Sequence, residues 1–591
     1  MWSRSCLQAR PLRRHRRRRA PRSHRSRQSP QRIDGVTGLV HFSEVFHDAR
    51  SKRDAHRAFH GTECADALMM PRMSTMSPTA AATAASHPTV IAATELAREA
   101  RLLGSTAAIL GWDQETMMPN GGLAHRARQF AQLARLEHGM ATDQRLGELL
   151  EAAADATATL PETHPDRVNI REFRRDWERA NKLPATLVEE LASVSSVAQH
   201  EWAQARKASD FARFRPWLEK IVHLNRQKAD CFGWDRSTGE RWDALADGFE
   251  PGCTAKFVEG VFIPLRQRLQ PLIDAVKDAP RRPDNSFNTH PMDIDAQERF
   301  ARFVSGSIGF DFDRGRLDRS THPFCGGSHG SDVRMTSRYS ADCMLDGLGS
   351  TMHETGHGMY EQGLDQDWIS TPMCEAVSLS IHESQSRLWE NQVGRSLQFC
   401  TWARKQMPEF FGKAADRFSA EQIYTAANVV EPGFIRVDAD ETTYNMHVMI
   451  RFELERAMIS RDLDVQDLPT EWNRLYKDYL GLTVPDDRRG CLQDVHWSGG
   501  MIGYFPTYTL GTLYAAQFFE RAREVIPGLD DGFARGEFRP LLNWLNTNIH
   551  RHGRRHLSAA LCEHVTGAPL SAEPFMRHLH AKVPAMYGLK V

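Results

Sequence analysis

From about Thr89 onward, apolar residues recur at three- and four-residue intervals in one segment after another. That spacing commits most of this 591-residue chain to helix. VIAATELAREARLLGSTAAILGWDQET and AHRARQFAQLARLEHGMATDQRLGELLEAA both carry it. VNIREFRRDWERANKLPATLVEELASVSSVAQHEWAQARK predicts two more helices divided at Pro184. Period-two alternation, the mark of a half-buried strand, is confined to runs near residues 333–339 and 434–438. No repeat of fixed period and no long Gly/Ser linker divides residues 90–591. The expected architecture is mainly α, one large helical unit with a small β-sheet near the site.

Charge is unevenly distributed beneath a formal total of zero. Residues 1–78 hold 17 Lys and Arg against 6 Asp and Glu, which leaves 58 basic and 69 acidic residues in the remainder. An acidic body does not suggest nucleic-acid binding. The basic run RPLRRHRRRRAPRSHRSRQSPQR repels itself and lacks apolar residues to bury. Residues 1–88 are therefore expected to be a disordered extension, or sequence ahead of a true start among Met69, Met70, Met73 and Met76. Residues 89–591 form the expected catalytic domain. No apolar core follows the arginines as a secretory signal requires, and no run reads as a membrane span. The ten cysteines are scattered without a C-x-x-C pair, so neither a cysteine zinc module nor a disulfide framework is expected. The reading is a cytoplasmic protein without a membrane or nucleic-acid partner.

The stretch LGSTMHETGHGMYEQGL (347–363) contains H-E-x-x-H. On a helix, residues four apart lie about 40° apart and one turn along, so His353 and His357 share a face and can reach one Zn²⁺. Glu354 lies about 100° round, where it can address water instead of the metal. Met352, Met359, Tyr360 and Leu364 supply an apolar side, and Gly363 a stop. A catalytic zinc needs a third protein ligand. The helical segment TPMCEAVSLSIHESQSRLWEN offers Glu375, His382 and Glu383, and position alone does not choose among them.

HETGHGMYEQG followed by IHESQSRLWEN resembles the carboxypeptidase Taq (M32) family of metallocarboxypeptidases. Further matching motifs are LGWDQETMMPNGG, HPF at 322–324, DVRMT at 332–336, IRVDADETTYNMHVMIRFELE from Ile435, GCLQDVHWSGGMIGYFPTYTLG from Gly490, IHRHGRR from Ile549 and TGAPLSAEPFMRHL. The resemblance spans roughly residues 90–591. It implies a helical zincin-type fold around a deep groove, assembled as a homodimer. It also implies metal-dependent release of single residues from peptides with a free C-terminus, with broad preference and poor action on proline. It assigns His353, His357 and Glu383 as ligands of one Zn²⁺ per chain, with Co²⁺ or Mn²⁺ as alternatives, and Glu354 as general base. Cys325, Asp438 and Cys491 depart from the family's usual residues without touching this set.

An oxyanion formed at the scissile carbonyl needs donors. HWSGGMIGYFPTY offers His496, Tyr504 and Tyr508. Helical zinc oligopeptidases of the thimet type place a Tyr twelve residues after the His of H-x-x-G-G, a likeness that favours His496 and Tyr508. A substrate carboxylate calls for an arginine. Arg436 is the expected anchor and Arg334 the second choice, with pairing to Asp332 as the structural alternative for Arg334. Asp438, Asp440 and Glu441 are expected mainly to pair structurally. Two other functions compete: a zinc oligoendopeptidase or dipeptidyl carboxypeptidase of the same chemistry, and a noncatalytic binding protein that uses the basic arm.

Overall fold

The computed structural model describes residues 86–590; the expectations for the basic arm and for a start within 69–76 fall outside them. Helices dominate, as the apolar spacing requires. The first, Pro88–Thr116, opens with proline where no N–H is needed, and the His87 ring accepts from the Thr89 amide. It shares a satellite core with Gln144–Thr157 and Pro165–Asn181, built from Val90, Ala93, Ala97, Leu146, Leu150 and Phe173. Pro184 divides Pro165–Asn181 from Ala185–Ala208, as its lack of a donor dictates. Among the described residues no helix is long and apolar enough to cross a membrane.

Three strands form a small sheet in the order β1 (Gly315–Arg319), β3 (Asp332–Ser337), β2 (Cys325–His329). β3 pairs in parallel with β1 and antiparallel with β2, with an irregularity between Gly327 and His329. The alternation expected near 333–339 thus becomes β3, which turns Val333 and Met335 into the core. The second expected strand does not form. Residues 436–438 make a 3-10 turn because side chains, not a neighbouring strand, satisfy the backbone there. Gln493 Oε1 accepts from the Arg436 amide at 2.8 Å, while Tyr476 Oη and Gln493 Nε2 donate to the Phe434 carbonyl at 3.1 and 3.0 Å.

Behind the sheet runs Met344–Gly363, the helix that carries the two motif histidines and ends at the expected glycine. It crosses Leu379–Arg387 at very short range. A Cβ on Gly356 would lie 2.5 Å from the Gln385 carbonyl oxygen and 2.6 Å from the Ser386 Cα. On the other side, Pro506–Val525 approaches through Gly511, whose Cβ would sit 2.7 Å from the Glu383 Cβ. Two missing methyl groups therefore let the helix bearing Glu383 be gripped from both sides. Leu379–Arg387 itself starts at Ser378, whose hydroxyl accepts from the Ile381 amide, and it runs into a π-turn, Leu388–Val393.

Tyr444–Ser460 buries a polar stripe at four-residue spacing. His447 meets Tyr476 Oη at 2.9 Å, Arg451 donates to Asp494, and Glu455 accepts from Trp497 Nε1, Trp242 Nε1 and the Gly503 amide. Buried polar groups need partners, and these partners hold the Asp494–Gly503 segment in place.

Gly356→Ala is expected to destabilise the fold by about 1–3 kcal/mol, because backbone must move away from the new methyl. Gly111→Ala, in a helix with nothing within 4 Å of the added Cβ, is expected to stabilise by up to about 1 kcal/mol. Urea midpoints of the two variants measure both.

Candidate metal centre

Once the motif helix and Leu379–Arg387 are in contact, three ligand-type side chains converge. His353 Nε2 lies 3.5 Å and His357 Nε2 3.4 Å from Glu383 Oε2. Each of the three offers one donor atom, and the donors lie within 4.8 Å of one another. The other third-ligand candidates stand elsewhere. Glu375 precedes the helix and pairs with Arg101 and Arg554. His382, one residue before Glu383, points about 100° away and stands behind His357.

Both histidines are oriented from behind. Glu390, carried by the π-turn, lies 2.9 Å from His353 Nδ1 and accepts a hydrogen bond from it, which turns Nε2 toward Glu383. His357 Nδ1 is 2.5 Å from His382 Nδ1, and His382 Nε2 is 2.8 Å from Glu361 Oε1. Read as donors and acceptors, His382 gives its proton to Glu361 and accepts from His357, so the His357 Nε2 lone pair also faces the site. Burial, with His382 alongside, lowers the His357 pKa to about 3, so the ring is neutral. His353 shifts the other way: burial lowers its pKa, but Glu383 and Glu390 outweigh it.

Glu383 accepts from Arg387 Nε at 2.7 Å and from Ser386 Oγ at 3.1 Å. Burial alone would raise its pKa, yet Arg387 and the two histidines hold it well below the carboxylate range. Glu354 is also buried but has no such partner. Desolvation, with Glu383 and Glu390 nearby and His353 only partly offsetting, pushes it up to about 7. One buried carboxylate is thus held ionised, while burial favours the neutral form of its neighbour.

His496 and Tyr508 lie together, with His496 Nε2 3.2 Å from Tyr508 Oη. Burial, with Arg436 adding to it, lowers the His496 pKa to about 3. Tyr508 stands one turn before Gly511 on the helix packed against Glu383, and burial raises its phenol well above its ordinary pKa. Arg436 is buried beside them, its guanidinium carbon 4.7 Å from the Tyr508 ring centre and Nη1 donating to Tyr444 Oη at 2.8 Å. It pairs with Asp494, which Arg451 also holds. One carboxylate between two guanidiniums leaves a net positive charge. Arg334 donates to both oxygens of Asp332 at 2.9 and 3.2 Å, the expected structural alternative, and lies over the Trp112 ring. Asp440 accepts from the Thr442 and Thr443 amides, and Glu441 pairs with Lys582 and His578, which is structural work.

Sequence reasoning missed Glu390, Arg387 and Asp494. The first two were marked by the E-x-x-x-R-x-x-E spacing from Glu383, which keeps three charges on one face of an otherwise buried helix. Asp494 sits in the quoted segment CLQDVHW, but its pairing with Arg436 and Arg451 needs the tertiary fold.

A largely helical fold with two histidines and a glutamate converging on one point defines a metallopeptidase-type centre. Residues 92–583 match the carboxypeptidase Taq (M32) metallopeptidase family, and the chain belongs to it. It is 44% identical over 506 residues to thermostable carboxypeptidase 1 of Thermus thermophilus, covering 84% of this chain and 98% of that relative. It is 36% identical over 482 residues to carboxypeptidase 1 of Bacillus subtilis, covering 82% and 95%. The crystal structure of an M32 carboxypeptidase from Deinococcus radiodurans superposes with a TM-score of 0.81 at 40% identity, covering 85% of this chain and all of that one. The chain is accordingly a metallocarboxypeptidase, a peptide hydrolase whose family uses a divalent metal.

Glu390→Gln, with all three candidate ligands retained, is expected to weaken divalent-metal binding about 10–100-fold, as loss of a partner behind a ligand histidine does. Competition against a chelator of known affinity measures it.

Proposed function

We propose that this chain removes single residues from the free C-terminus of peptides, holding one metal ion on His353, His357 and Glu383 with Glu354 as general base. The observation that carries the proposal is the convergence of two oriented imidazole nitrogens on an ionised Glu383 oxygen at 3.4–3.5 Å. That N₂O donor set, with each histidine backed by an acceptor, suits a borderline dication. Zn²⁺ is the proposed ion, with Co²⁺ or Mn²⁺ as alternatives. When bound, it supplies Lewis-acid chemistry, acidifying water and polarising a carbonyl.

The remaining work belongs to the protein. Glu354 takes a proton from the attacking water and delivers it to the leaving amine. Tyr508 and His496 donate to the oxyanion that develops at the scissile carbonyl. Arg436 receives the substrate's terminal carboxylate, because Asp494 divides its charge between Arg436 and Arg451 and leaves positive charge unmatched. Arg334 is the second choice for that task. Broad side-chain preference, poor action on proline, a cytoplasmic setting and a homodimeric assembly complete the proposal, all four by likeness to the family.

The test is time-resolved mass spectrometry of one peptide and its C-terminally amidated twin, with metal-loaded wild type and Glu354→Gln side by side. Stepwise loss from the free end is expected, absent from the amidated twin and from the variant. Internal cuts in both peptides would instead mark an endopeptidase, and no cleavage despite bound metal would favour the noncatalytic reading. Removing metal with a chelator is expected to abolish turnover, and Zn²⁺, Co²⁺ or Mn²⁺ to restore it. Tyr508→Phe is expected to lower kcat about 10²–10³-fold with metal content unchanged.

A further inference from the structure

A second group of metal-competent side chains lies outside the centre described above. His552, His556 and His564 each offer one ligand atom, all within 4.8 Å of one another. Their ring centres are 5.0–5.5 Å apart, and the His556 and His564 rings are nearly parallel. The first two do not meet through helical i, i+4 geometry. The backbone leaves helical angles at Gly553 and Arg554, between them, and Met373 fits so closely against Gly553 that a side chain there would clash. His564 comes from the last turn of the Ser558–Thr566 helix. Packing, not local sequence, therefore assembles the trio.

A further observation points to a ligand. The His552 ring is engaged by the Thr547 backbone, yet its Nδ1 is buried with no hydrogen-bond partner, a costly arrangement for a polar atom.

We propose that His552, His556 and His564 form an accessory site for a borderline divalent transition cation of the Zn²⁺, Ni²⁺ or Cu²⁺ type, distinct from the His353–His357–Glu383 centre. An all-nitrogen set selects these ions over Mg²⁺ and Ca²⁺, which require oxygen ligands. Three ligands with His564 exposed leave an outer position for water. The ion acts as a clamp between the segment that follows Ile549 and the Ser558–Thr566 helix. That segment braces the back of the catalytic helices: His550 Nε2 lies 2.9 Å from Gln385 Oε1, two residues beyond Glu383, and Arg554 pairs with Glu172 and Glu375.

Zn²⁺ bound per full-length chain is counted by equilibrium dialysis at micromolar free Zn²⁺ followed by elemental analysis. Wild type is compared with His564→Ala and His556→Gln, with circular dichroism checking that each is folded. His564 is exposed, so its truncation leaves the packing intact. Two equivalents are expected in wild type and one in each variant, with peptide cleavage unchanged and the rise in Tm on Zn²⁺ addition diminished. Equal Zn²⁺ content in wild type and His564→Ala would overturn the accessory site. Because the count compares proteins that share His353, His357 and Glu383, it stands or falls apart from the proposed catalytic mechanism.

Discussion

A carboxylate removed from water has to be matched by charge or protonated, and the run from Glu383 to Glu390 shows how this fold meets that demand. Arg387 lies between the two glutamates, with Nε 2.7 Å from Glu383 and Nη1 3.4 Å from Glu390, while Arg395 approaches Glu390 from the far side at 3.4 Å. Removing either arginine would leave an uncompensated charge in the core. The same pairs decide the character of the site. Glu383 stays ionised because Arg387 holds it, and Glu354 rises because nothing comparable reaches it. The close helix approaches at Gly356 and Gly511 keep water from screening these contacts and so strengthen them.

The helical fold, the histidine pair and the place of the sheet were legible because each rests on a local period. The choice of the third ligand was not. Glu375, His382 and Glu383 sit within nine residues, and only the helix start at Ser378 and the crossing at Gly356 decide which one faces the histidines. Resemblance to the family named Glu383; the residues alone left three options. The misread strand at 434–438 has a related cause: Ile435, Arg436, Val437 and Asp438 do alternate, but Gln493 and Tyr476 occupy the backbone groups a neighbouring strand would have used. The accessory histidines were invisible for the same reason. His552 and His556 look like a helical pair, yet a break in the helix brings them together and His564 joins only through packing.

Asp494 illustrates how a buried network can be stable and still unbalanced. Each of its oxygens serves a different arginine, Oδ1 for Arg436 and Oδ2 for Arg451, and His496 Nδ1 stands 3.9 Å away. The aromatic faces of Phe505, Tyr508 and Trp472 spread part of the surplus charge. What remains is a formal excess of positive charge on this wall, since two arginines share one carboxylate.

The π-turn at Leu388–Val393 carries a wider winding than an α-helix, which amounts to one extra residue held in the turn. Its consequence is a constraint on length. Dropping one residue from the turn would tighten it to α geometry and swing the chain beyond it by about 100° relative to Glu383. Glu390 and the bend toward Arg395 could not both keep their places. The spacing of the chain between Arg387 and Arg395 is therefore as much a part of the centre as the identity of its ligands, and an indel there would act like the loss of a side chain.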